Sequence, residues 1–167
     1  MAMGFESFQI MLRGGRTTYA EANEAIHKLP TIEPDESSFC PGTYYLMKDG
    51  RHVLEVELMD VSPIRVSCRF TLCHPASVDA AFLGFVRELM DLLGMDAEIC
   101  DEIPAGHAHK FSLDSFSEFS TIARQCIAKS RAEWIAYMGA EQLSATTDEV
   151  FARIILPFCK ANTDSPQ

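Results

Sequence analysis

The sequence predicts an α+β domain, a mainly antiparallel sheet in the element order β-α-β-β-β-α-β-α-α with helices packed on one face. Three observations carry that prediction. Apolar residues alternate with period two in several segments before residue 73, the pattern of half-buried strands. They recur at helical spacing in four other segments, giving each an apolar stripe. Asp49-Gly50 separates two of the alternating runs as a two-residue hairpin turn, suited to a turn whose central positions both need positive φ. A sheet with one apolar face, covered by the striped helices, buries both patterns at once.

The first strand runs from Phe5 to Arg13, with Phe8, Ile10 and Leu12 on one side and Ser7, Gln9 and Arg13 on the other. Gly14-Gly15 ends it. Thr18 and Glu21 form a capping box for a short helix whose Ala22, Ala25, Ile26 and Leu29 face inward until Pro30. Residues 31–42, with Pro34 and Pro41, predict a loop. Three strands follow as a meander, Thr43 to Lys48, Arg51 to Asp60 and Ile64 to Leu72. Leu54, Val56, Leu58, Val66, Cys68 and Phe70 lie on its apolar face, and Glu55, Glu57, Arg65 and Arg69 on its charged face, where cross-strand ion pairs are expected.

Ser77 is the expected cap of a helix that runs to Leu93, with Val78, Phe82, Phe85, Val86, Leu89 and Leu93 inward and Gly94 as a left-handed C-cap. A short strand, Ala97 to Asp101, and a loop, Glu102 to Lys110, come next. Ser115 and Glu118 predict a second capping box in a long helix ending near Gly139, with Phe119, Ala123, Cys126, Ile127 and Trp134 inward. Thr146 and Glu149 open a last helix that Pro157 closes, and residues 162–167 form a frayed tail.

Length and composition bound the functional reading. The 167 residues fit a single domain spanning 1–167, large enough to bury roughly 70% of the surface its unfolded chain exposes. The net charge is −10, with 14 basic residues scattered among 24 acidic ones, which disfavours nucleic acid as a partner because such binding rests on Lys and Arg neutralising phosphates. The six cysteines accompany no secretory signal, and several fall on apolar faces, so they are expected to be reduced and the protein cytoplasmic. No apolar run is long enough to span a bilayer, so no membrane partner is expected. Met1-Ala2-Met3 does not reveal whether it is native.

Four constellations could carry chemistry. Cys73-His74, before a predicted helix N-terminus, has the elements of an activated thiol, although neighbours on a strand point apart, and a strand-end Cys followed by a loop His serves equally. His107 and His109, one residue apart in a loop, could share a metal, but no third ligand stands at recognisable spacing, so exposed loop histidines are the simpler reading. Arg13-Gly14-Gly15-Arg16 before a helix start has the ingredients of an anion cradle, and equally those of a strand-to-helix turn. Glu88, Asp91, Asp96, Glu98, Asp101 and Glu102 form an acidic stretch, either a solvated face or a docking surface for a basic partner, with Asp96, Glu98, Asp101 and Glu102 as the contact residues.

No cofactor is implied. The charge and the lack of a complete catalytic motif point to a small binding or inhibitory protein acting on a basic protein partner, of the immunity type that neutralises a toxin. A small hydrolase or transferase using Cys73 and His74 or a carboxylate is the alternative. A sensor holding a small ligand in the gap between sheet and helices is the third reading.

Overall fold

The computed structural model describes residues 7–34, 42–48, 51–72, 74 and 76–138, with backbone alone at 45–48, 51–53 and 138. The expected helix at 146–157, the tail and the Asp49-Gly50 turn lie outside the described residues. The elements are β1 (Ser7–Arg13), α1 (Tyr19–His27), β2 (Ile32–Pro34), β3 (Thr43–Lys48), β4 (Arg51–Met59), β5 (Arg65–Thr71), α2 (Asp79–Leu93), β6 (Asp96–Ile99), β7 (Lys110–Phe111) and α3 (Phe116–Met138). They build an α+β fold with the helices packed on an antiparallel sheet, as expected. The strand order is β2-β3-β4-β5-β1-β6-β7, so the first strand in sequence lies between β5 and β6.

Register turns the sequence pattern into two faces. Tyr44, Val56, Cys68, Ile10 and Ile99 stand opposite one another across five strands, and Leu58, Val66, Leu12, Ala97 and Phe111 form a second such row. All are buried on the helix side. Alternation therefore sends Glu55, Arg69, Gln9, Glu98 and Lys110 to the other face. Contacts there include the Glu55–Arg69 ion pair at 2.8 Å and the Gln9 amide donating to Ser67 at 2.8 Å. Glu57 faces Ser67 and Arg65 faces Met59, so only one of the expected Glu–Arg pairings falls in register. Nor is this face simply solvated, because Met11, Ser67 and Thr71 on it are buried.

Helix ends follow local chemistry with two departures. Thr18 and Glu21 make the expected capping box, and Gly94 closes α2 at φ 62° with its N–H donating to the Met90 carbonyl. The residue before α2, however, is Val78, and Ser77 lies in a short 3₁₀ turn (Ala76–Val78) that displaces the start of the helix beyond its reach. Ser115 also sits in a 3₁₀ turn (Leu113–Ser115), its hydroxyl donating back to the Ser112 carbonyl. Two expected loops contain edge strands, β2 and β7. At three and two residues they are too short to show a period, and Pro34 is tolerated because an edge position needs no ladder donor there.

Phe82 of α2 joins the layers. Its ring stacks on Phe70 at 4.6 Å between centroids and meets Phe8 edge-on at 6.2 Å. Beside it, Arg131 of α3 grips the buried Asp79 with two donated hydrogen bonds, 2.7 and 3.1 Å, and its Nε reaches the Leu72 carbonyl at 3.4 Å. This fork ties the start of α2, the middle of α3 and the end of β5 together. Arg87 of α2 lies 5.5 Å over the Phe116 ring of α3, a cation–π contact between the two helices.

Two outcomes are expected from urea denaturation. Phe82→Ala costs about 3–5 kcal/mol, the range for a buried aromatic, while Arg65→Ala on the outer face costs under about 1 kcal/mol. Equal losses would mean the facing is inverted. Asp79→Ala, which strands a largely buried guanidinium, costs about 3–5 kcal/mol, and the double replacement Asp79→Leu with Arg131→Met costs clearly less. A double variant that loses as much as the two single variants together would show that the pair is not coupled.

Candidate functional site

The sequence candidates scatter over the molecule. Cys73 lies outside the described residues. His74 lies outside any strand or helix and is buried, its N–H donating to the Thr71 carbonyl at 3.4 Å. Its ring packs against Phe70 at 5.3 Å. The helix–sheet gap that the sensor reading requires is filled at this point by Phe8, Phe70 and Phe82, all buried.

The glycine turn after β1 has a packing reason. Gly14 adopts φ +90°, and a Cβ on Gly15 would stand 2.8 Å from the Leu93 carbonyl oxygen and 2.9 Å from the Met95 side chain. Gly15 is therefore required where the turn crosses the end of α2, and the Thr17 hydroxyl donates to the same Leu93 carbonyl at 3.2 Å. Some donors around the turn are occupied within the chain. The Glu21 carboxylate accepts from the Thr18 N–H and hydroxyl, which holds its pKa below the ordinary value, and the Thr18 hydroxyl accepts from the Glu21 N–H. Arg13 lies 3.0 Å from Glu98, close enough for Coulombic attraction although its Nε is not aligned for a hydrogen bond. Arg16 is exposed.

The acidic stretch does not form one patch. Glu88 and Asp91 are exposed on α2, in the helix layer, whereas Asp96 and Glu98 point to the opposite face of the sheet. There Asp96 pairs with Lys110 at 3.3 Å and Glu98 with Arg13. Asp101 is half-buried, with one carboxyl oxygen shut off from solvent and no hydrogen-bond partner among the described residues, and this desolvation raises its pKa. Glu102 is exposed.

The thiols near this stretch are not activated. Burial, then the Asp101 charge, pushes the Cys126 thiol up, and its S–H points to the Glu102 carbonyl at 3.8 Å. Partial desolvation, with the charges of Glu98 and Asp101, raises Cys100, and burial takes Cys68 up to about 12. A reactive cysteine needs the reverse shift. All three are free thiols.

His107 and His109 are both exposed in the loop between β6 and β7. The His109 carbonyl accepts from the Ile99 N–H at 3.2 Å, while His107 turns towards Glu118, its Nδ1 3.6 Å away. Among the described residues no three His, Cys, Asp or Glu side chains are grouped so as to hold a metal ion. None of their helices is long and apolar enough to cross a membrane.

His107 instead edges a feature that the sequence reading missed, an open hollow of about 650 Å³ between this loop and the start of α3. Asp114, Ser117, Glu118, Thr121 and Gln125 line it, with the buried Ile122 beneath. The signal was present as a polar stripe at helical spacing, 114, 118, 121 and 125, opposite the apolar stripe. Aromatic packing sets its wall, because Phe119 of α3 contacts both Phe111 of β7 and Phe116, each at 5.5 Å. Its polar lining is two carboxylates, three hydroxyls counting Ser115 and an amide, with the His107 imidazole 3.6 Å from Glu118.

No family model, curated protein or solved structure matches the chain.

Two variants separate structure from function here. Gly15→Ala overpacks the crossing and lowers stability by about 1–3 kcal/mol; unchanged stability in thermal denaturation would remove the packing explanation. Asp101→Asn tests the half-buried carboxyl. The folded state holds this proton more tightly than the unfolded chain, so the penalty is absent below the unfolded pKa of about 4 and develops as pH rises through the higher folded value. The variant is expected to be more stable than the parent at pH 7, with the difference shrinking as pH approaches 4. Urea curves at several pH values read this directly, and a parent more stable at pH 7 would contradict it.

Proposed function

We propose that this protein acts in the cytoplasm by binding a basic partner protein, as an immunity-type inhibitor that covers the partner's cationic site. The observation that carries the reading is the polar hollow at the start of α3, where Asp114 and Glu118 share a recess in a chain of net charge −10. A recess favours such a contact over a flat acidic surface, because partial exclusion of water strengthens attraction to an entering cation. Two carboxylates among hydroxyls suit the fork of an arginine side chain in particular.

We centre the proposed contact away from Asp96 and Glu98. Asp96 and Glu98 are engaged by Lys110 and Arg13, so their charge is partly neutralised within the chain. Asp101 has one carboxyl oxygen turned away from solvent. Of the four acids expected to form the contact, Glu102 is the most exposed, and it joins Asp114 and Glu118 in the proposal.

Surface plasmon resonance on a partner captured from the native cell tests the reading at two ionic strengths. Salt is expected to slow association more than it changes dissociation, the mark of electrostatic steering. The triple variant Glu102→Gln, Asp114→Asn, Glu118→Gln should lower the on-rate by roughly an order of magnitude, with an unchanged urea curve. A partner whose on-rate ignores both salt and the three substitutions would end the proposal.

A further inference from the structure

We draw no further inference here: the strongest candidate, the half-buried Asp101 carboxyl beside the Cys126 thiol where the end of β6 meets α3, rests on a raised pKa and a single carboxylate, with no second group among the described residues to name a ligand.

Discussion

Phe82 brings the helix layer down onto the middle of the sheet, and much of the remaining architecture follows from that contact. Its ring lies on Phe70 and against Phe8, residues directly opposite each other on β5 and β1. Strand β1 must therefore pair with β5 for the contact to exist, which places the N-terminal strand inside the sheet instead of at an edge. Once it is there, its other side is free to take β6, and β7 follows. The Asp79–Arg131 fork then locks α3 against α2 beside the same contact. Such a pair is weak evidence for net stability, since desolvation offsets its attraction, but losing one partner is costly. The fork joins the first residue of α2 to α3 and to the Leu72 carbonyl after β5.

One-sided covering of the sheet explains why charge that is continuous in sequence is divided in space. Acids on α2 belong to the helix layer, while Asp96 and Glu98 alternate outward onto the opposite face. On that face they meet Arg13 and Lys110 in crossed diagonal pairs, because each basic residue bonds the acid diagonal to it and not the one directly opposite. Carboxylates less engaged in this way gather at the end of the sheet, where the β6–β7 loop approaches α3. Phe111, Phe116 and Phe119 hold that approach in place, so an apolar cluster positions a polar recess.

The candidate sites were legible to different degrees. The glycines at 14 and 15 read as a turn or as an anion cradle, because both need positive φ or close backbone approach, and the 2.8 Å from a Gly15 Cβ to the Leu93 carbonyl gives the turn a packing reason. His74 read as a loop residue and lies between β5 and the 3₁₀ turn, but its burial was not legible, because it depends on the Phe70 ring packed against it. The hollow beside His107 was legible only as a polar stripe on α3, since any solvated helix face has the same appearance until a loop is laid along it.

The sequence by itself determined the class of fold, most of the inward residues of the described long elements, the capping box at Thr18 and the left-handed glycine at 94. These are local matters: period, cap chemistry and backbone sterics act within a few residues. Tertiary structure alone decided that β1 lies between β5 and β6, that short segments at Ile32 and Lys110 become edge strands, and that Asp79 is gripped by Arg131. Each joins residues far apart in the chain or too few to show a period, and depends on which surfaces are left to bury once the longer elements have formed. The division of the acidic stretch is the same effect on charge: alternation and layer assignment, not proximity in sequence, decide which carboxylates act together.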